Sequence, residues 1–189
     1  MIIEDRMIRI NISKLMAKAL RHRPDVLGIV VDEHGWTDVN DMIDAIRKKY
    51  QGFNLETLEC IVEESEKKRY SFNENHTKIR ANQGHSLPVD VELKIAAPPD
   101  VLYHGTARKN IETISAEGIK RMNRLYVHLS ADIPTALNVG SRHGAPVVFE
   151  VDSRQMNRDG YQFYLSENGV WLSEFVPSQY IRLIEPQVQ

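Results

Sequence analysis

The sequence predicts an α+β chain in two lobes, helical in its first half and built largely from antiparallel strands in its second. Three observations carry that expectation. Apolar residues recur at helical spacing as far as Ser65, then give way to a pair of short alternating runs. Ala96-Ala97-Pro98-Pro99-Asp100 interrupts both patterns, because two adjacent prolines suit neither a helix interior nor a central strand. Beyond it, short apolar runs dominate and helical stretches are brief. The expected lobes are residues 1–96 and 97–189.

Ile12, Leu15, Met16, Ala19 and Leu20 form an i, i+3, i+4, i+7, i+8 stripe, with Asn11 or Ser13 as its cap and Pro24 closing the far end. Lys14, Lys18 and Arg21 run along another side, a row of cations whose ordinary role is solvation near a helix C-terminus. Val39, Met42, Ile43 and Ile46 mark a second helix behind Asp38 or Asn40. Asn54 opens a third, with Leu55, Leu58, Ile61, Val62 and Ser65 inward. Residues 67–72 alternate as a strand, Asn73-Glu74-Asn75-His76 is a polar turn, and residues 77–80 are a second strand. Three helices and a hairpin follow the order of a winged helix, and Trp36-Thr37 can supply its third strand. That fold often handles nucleic acid, although a fold alone does not establish function.

The second half reads as strands over residues 101–104, 126–129, 147–151, 162–165, 170–172 and 181–184. Between them lie a helix over 110–117 stopped by Gly118, and another over 132–139 with Pro134 in its first turn.

Composition excludes several classes. Hydrophobic residues at 42% and charged residues at 26% are globular values, so a disordered chain is out. Cys60 stands alone and supports neither an internal disulfide nor a cysteine-based zinc site. The opening MIIEDRMIRI interleaves charges with its apolar residues, unlike a signal peptide, and no run approaches the ~20 residues a bilayer requires. The expectation is a soluble cytoplasmic protein with no membrane contact. Lys and Arg number 24 against 26 Asp and Glu, a net charge of −2 shared evenly between the halves. Any anion must therefore be held by local clusters. There is no G-x-G-x-x-G, G-x-x-x-x-G-K-[ST], H-E-x-x-H or G-x-S-x-G, which removes the main support for a Rossmann dehydrogenase, a P-loop enzyme, a zincin or an α/β-hydrolase.

What remains is a set of Arg and His residues beside Gly or Ser. Leu20-Arg21-His22-Arg23-Pro24 ends the first helix, and Ile79-Arg80-Ala81-Asn82-Gln83-Gly84-His85-Ser86 leaves the hairpin. Tyr103-His104-Gly105-Thr106 and Val127-His128-Leu129-Ser130 end strands, and Gly140-Ser141-Arg142-His143-Gly144 follows a helix. Arginine offers a planar permanent charge to phosphate oxygens, histidine moves protons near neutral pH, and glycine lets main-chain N–H groups approach an anion. Singly, each has an ordinary structural role: a helix end for Arg21 and His22, a wing position for Arg80, a hydrogen-bonded core for His104 and His128, and an exposed turn for residues 120–124. Trp36, Tyr70, Phe72, Tyr103, Tyr126 and Trp171 read as core. Together the cations and glycines indicate a phosphate-handling site. Three readings fit: an RNA phosphoesterase using His104/Thr106 and His128/Ser130 as acid and base, group transfer involving a phosphate clamped by arginines, or a winged-helix reader joined to a ligand sensor.

These segments, with Asp32-Glu33-His34-Gly35-Trp36, Lys67-Lys68-Arg69-Tyr70-Ser71-Phe72 and Glu167-Asn168-Gly169-Val170-Trp171-Leu172, occur in the order found in the RNA 2′-phosphotransferases, and the chain resembles that family from Ile12 to Ile184. The resemblance implies a winged-helix RNA lobe and an NAD-binding lobe of the ADP-ribosyltransferase fold. It implies NAD as a consumed co-substrate, no metal, a 2′-phosphorylated RNA partner and no obligate protein partner. The family's catalytic Arg-His-Arg-Arg set falls on Arg21, His22, Arg80 and Arg142, contributed by both lobes. His104, Gly105, Thr106, His128 and Ser130 would line the NAD pocket, and Lys14, Lys18, Arg23, Lys67 and Arg69 would contact the RNA backbone. A phosphate monoester carries about −1.5 to −2 at neutral pH, so it can act as nucleophile without a general base. Apolar Val170, where other ADP-ribosyltransferases carry a glutamate, is consistent with that. One departure from relatives is Ala17, where many carry a small hydroxyl residue.

Overall fold

The computed structural model describes residues 2–184, and the chain divides into two compact units, Met1–Glu92 and Leu93–Gln189. Both mix helix with antiparallel sheet, so the chain is α+β.

In the first unit, α1 (Arg6–Arg21) begins well before Asn11 and Ser13, the two caps expected from the apolar stripe. Asp5 caps it, accepting from the Met7 and Ile8 amides at 2.8 and 3.2 Å. The added turn is held from outside the helix: the Ile3 amide donates to Thr57 Oγ1 at 3.1 Å, and Ile3 and Ile8 pack on the core. Those contacts lie 54 residues apart, beyond the reach of a periodicity argument. The buried stripe is Ile12, Met16, Ala19 and Leu20. Then come β1 (Trp36–Asp38), α2 (Val39–Arg47) capped by Asp38, α3 (Leu55–Glu63) capped by Asn54, β2 (Tyr70–Phe72) and β3 (Lys78–Ala81). The three strands form an antiparallel sheet in the order β1-β3-β2, with Trp36 opposite Arg80 and Tyr70 opposite Ala81. The first hairpin strand is shorter than its alternation suggests. Lys68 takes a left-handed φ of 39° and its amide turns back to the Ser65 carbonyl, so the chain is still turning at Lys68 and the ladder is joined only from the Arg69 carbonyl, which accepts from the Asn82 amide at 2.9 Å. The three helices and the sheet enclose one core around Met16, Leu20, Met42, Ile46, Phe53, Leu58 and Ile79.

The second unit runs β4 (Lys94–Ile95), β5 (Leu102–Ala107), α4 (Ile111–Glu117), β6 (Ile119–Lys120), β7 (Val127–Leu129), α5 (Ile133–Gly140), β8 (Pro146–Val151), α6 (Ser153–Arg158), β9 (Tyr164–Leu165), β10 (Trp171–Ser173), β11 (Phe175–Val176) and β12 (Ile181–Ile184). Its strands form sheets ordered β12-β8-β5 and β4-β9-β10-β7, with a small β11-β6 pair, all antiparallel. Leu102, Val127, Leu129, Val151, Met156 and Phe163 form its core. The proline pair is built into this unit: the Ala96 amide donates to the Phe163 carbonyl at 3.0 Å, and Ser153 Oγ donates to the Pro99 carbonyl at 2.7 Å.

Helix α5 lies directly on β5, and two glycines permit it. A Cβ on Gly105 would fall 1.6 Å from the Ala136 carbonyl oxygen, and one on Gly140 would fall 2.8 Å from the Thr106 carbonyl oxygen. No side chain fits at either position without moving main chain. Among the described residues, no helix is long and apolar enough to cross a membrane.

Candidate functional site

Two clusters hold the residues singled out above, one in each unit. In the first, α1 ends at Arg21 and the chain leaving β3 folds back over that end. The Ser86 and Leu87 amides both donate to the Arg21 carbonyl, at 2.9 and 3.3 Å, and so satisfy one of the carbonyls that a helix C-terminus leaves open. Gly84 makes the turn with a φ of +89°, and a Cβ there would meet the Arg21 side chain at 3.7 Å. The same fold-back brings Ser86 Oγ within 2.9 Å of His22 Nδ1, which fixes the plane of that ring.

Arg80 projects from β3 onto Trp36, its cross-strand partner, with the guanidinium carbon 4.3 Å from the indole centroid. Stacking of this kind is worth roughly 0.5–2 kcal/mol. One edge of the guanidinium meets Glu92 Oε2 at 3.2 Å, while Nε is buried without a hydrogen-bond partner. The side chain is only 12% exposed, so its charge is held close to a surface that offers it a single carboxylate.

Between these cations lies His85, 2% exposed and with Nε2 unpartnered. Its pKa is pushed down from 6.5 to about 4, first by burial and then by the charges of Arg21, His22 and Arg80. The imidazole is therefore neutral at physiological pH, and three of the four positions in the Arg-His-Arg-Arg set converge around it. The sequence singles out the segment that holds His85 but gives that residue no role, because its burial is a tertiary fact.

That burial has a measurable consequence. The unfolded chain takes up the His85 proton near pH 6.5 and the folded chain only near 4, so acidification through that window favours unfolding. At 1.36 kcal/mol per unit, the stability lost between those limits is about 3 kcal/mol. Urea denaturation at a series of pH values should show this slope in the wild type and a shallower one in His85→Gln. Parallel curves for the two proteins would remove His85 as its source.

In the second unit, β5 and β7 meet at one bridge, where Tyr103 and Ser130 exchange main-chain bonds of 2.9 and 2.8 Å. Continued pairing would set Gly105 opposite His128. Instead the strands part, and the crossing is made by His104 Nδ1, which donates to the His128 carbonyl at 3.1 Å. Alternation along the strand points the Gly105 N–H and C=O toward the same side as those of Tyr103, into that opening. His128 Nδ1 in turn donates to the Tyr126 carbonyl at 3.1 Å. The His104 pKa is lowered chiefly by burial, with Arg124 adding to the effect. A neutral ring whose Nδ1–H is committed leaves Nε2 as an acceptor. Thr106 is buried and its Oγ accepts from Asn110 Nδ2 at 2.9 Å, so the His-x-Thr pair is tied into the fold on both members.

Arg142 follows α5 in a short 3-10 turn and is exposed. Its charge faces Arg124, whose own pKa is lowered first by partial desolvation and then by Arg142. Two guanidinium groups that repel one another, of which Arg124 also acts on the neutral His104, favour an anion between them. Arg124 read as part of an exposed turn in the sequence, and only the fold reveals it as a neighbour of Arg142. Val170 lies in a tight turn between β9 and β10, with its amide and carbonyl both bound to Ser166.

The five basic residues assigned to RNA separate into groups. Lys14, Lys67 and Arg69 line one groove beside α1. Lys18 is exposed on the helix, and Arg23 is paired with Asp25 at 2.7 Å. Among the described residues, no cluster of three or more His, Cys, Asp or Glu is arranged to hold a metal ion.

A family model described as RNA 2′-phosphotransferase, Tpt1 / KptA family, matches residues 7–175. The chain is 49% identical over 174 residues to a probable RNA 2′-phosphotransferase of Fusobacterium nucleatum, covering 92% of this chain and 97% of that one. It is 49% identical over 171 residues to a protein of the same description from Flavobacterium johnsoniae, covering 90% and 94%. A third, from Nostoc punctiforme, is 48% identical over 175 residues, covering 93% and 97%.

Proposed function

Because the chain belongs to the RNA 2′-phosphotransferase, Tpt1 / KptA family, we propose that it removes an internal 2′-phosphate from RNA, of the kind left at a tRNA splice junction, by transferring it to NAD. The reading makes the first unit a winged-helix RNA lobe and the second an ADP-ribosyltransferase-like lobe, acting in the cytoplasm. In the first step a 2′-phosphate oxygen attacks the anomeric carbon of the nicotinamide ribose. The carbon–nitrogen bond breaks, nicotinamide leaves and RNA-2′-phospho-ADP-ribose forms. In the second, the ribose 2″-hydroxyl attacks phosphorus and the bond to the RNA oxygen breaks. The products are RNA with a restored 2′-hydroxyl and ADP-ribose 1″,2″-cyclic phosphate.

In this scheme Arg21, Arg80 and Arg142 neutralise the phosphate, and His22 donates to it and moves a proton during the second step. The convergence of Arg21, His22 and Arg80 around neutral His85 is the observation that supports the reading most directly, because it concentrates positive charge in one place, with Glu92 the carboxylate that meets Arg80. His104, Gly105, Thr106, His128 and Ser130 would receive NAD. The main-chain donor and acceptor of Gly105 are complementary to a carboxamide, which offers one of each.

One incubation tests the scheme: a short 2′-phosphorylated oligonucleotide with and without NAD, its products resolved by mass. The expected result is loss of the phosphate and release of nicotinamide only when NAD is present. Inorganic phosphate or a cleaved strand without NAD would establish a phosphoesterase, and binding without turnover a sensor; either outcome overturns the proposal.

A further inference from the structure

A groove of about 620 Å³ runs along the first unit between α1 and the chain that follows α3. Arg6, Ile10, Ser13 and Ala17 form its helical wall, recurring every three or four residues on the helix face that Arg21 continues one turn further on. Ser65, Lys67 and Arg69 contribute to the opposite wall. Of its twelve lining residues five are cationic and two are carboxylates, in a chain whose overall charge is −2.

Arg9 and Glu64 cancel each other. Their side chains are joined at 2.9 and 3.0 Å, and Arg9 also donates to the Ile3 and Glu4 carbonyls. That pair is structural, and it leaves Arg6, Lys14 and Arg69 with Glu66 as the remaining carboxylate of the lining, while Lys67 adds a further cation at the exposed edge. Arg6, Lys14 and Arg69 form no ion pair among the described residues, and Lys14 and Lys67 are exposed. Seryl hydroxyls at Ser13 and Ser65 add neutral donors. Among the described residues, no aromatic side chain lines the groove, so they offer no surface on which a base could stack.

Resting on the reaction proposed above, we infer that this groove seats the sugar–phosphate backbone of the single RNA strand that flanks the 2′-phosphate, and reads charge without reading bases. Its volume lies in the range of about 300–1,000 Å³ that encloses ligands of small-molecule size, too little for a duplex. Its direction along α1 leads a strand toward Arg21, and Ala17, one helical turn of about 5.4 Å before Arg21, leaves the approach clear of a larger side chain.

The test is fluorescence anisotropy on the full chain with a labelled 2′-phosphorylated ten-nucleotide strand, across a salt series. In Lys14→Glu/Lys67→Glu the Kd at low salt should rise at least tenfold. The slope of log Kd against log salt should flatten by roughly 1.4, since each lost phosphate contact removes about 0.7 on a single strand. Lys14→Arg/Lys67→Arg, which keeps both charges, should restore affinity and slope, and adenine-rich and uracil-rich strands should bind alike. An unchanged Kd and slope in the glutamate variant, no restoration by arginine, or strong preference for one base composition would each overturn the assignment. The reaction is judged separately, by wild-type turnover of a 2′-phosphorylated dinucleotide too short to lie along the groove. If that substrate is inert with NAD, the proposed reaction fails, whereas the groove stands or falls on the salt slope.

Discussion

Arg80→Ala is expected to lower kcat by roughly 10²–10³, the cost typical of removing one fixed electrostatic contact from a developing oxyanion. NAD affinity should stay near the wild-type value, because the residues assigned to NAD lie in the other unit. Arg142→Ala should lose kcat likewise with NAD affinity retained; it lies in the same unit as the residues assigned to NAD, so that retention is the sharper test of its role on the phosphate. Equilibrium binding of NAD and single-turnover rates separate the two quantities. Arg80→Lys should recover little. An ammonium can carry the charge, but it cannot lie flat on the Trp36 indole while presenting a second edge to phosphate and to Glu92. Wild-type rates in either alanine variant would remove that residue from the mechanism.

His22→Ala should divide the reaction between its steps. The first step uses an oxygen that is already anionic and needs no proton moved, so its rate should fall modestly. The second must take a proton from the 2″-hydroxyl and return one to the departing RNA oxygen, and loss of a general acid–base group typically costs 10²–10⁴. RNA-2′-phospho-ADP-ribose should therefore accumulate, visible by mass as an oligonucleotide heavier by ADP-ribose. Ser86→Ala, which frees the His22 ring from its 2.9 Å partner, should give a weaker version of the same accumulation. Normal turnover without that species would rule out the role.

The legible part of the fold was the part written in local spacing. The Ile12–Leu20 stripe, the Asp38 and Asn54 caps and Pro134 in the first turn of α5 each depend on residues within a few positions. What sequence concealed depends on distant partners. The first turn of α1 forms because Ile3 reaches Thr57, and the two-residue strands β4, β6 and β11 exist only through their partners. The same division runs through the site. Arg21, His22, Arg80 and Arg142 could be marked by type and family resemblance. The indole beneath Arg80, the burial of His85 and the nearness of Arg124 to Arg142 each follow from strands and loops meeting in space. Gly105 carried a signal with two meanings: its lack of a side chain serves the seat of α5, and its main chain has no pairing with β7, because that pairing stops at the Tyr103–Ser130 bridge.

The joint between His22 and Ser86 spans 64 positions. On a ribosome adding 5–20 residues per second, about 3–13 s separate the synthesis of its two sides. Throughout that interval the end of the helix lacks its closing loop, so a chain truncated just before Ser86 holds three members of the set, Arg21, His22 and Arg80, but not the hydroxyl that orients the His22 ring.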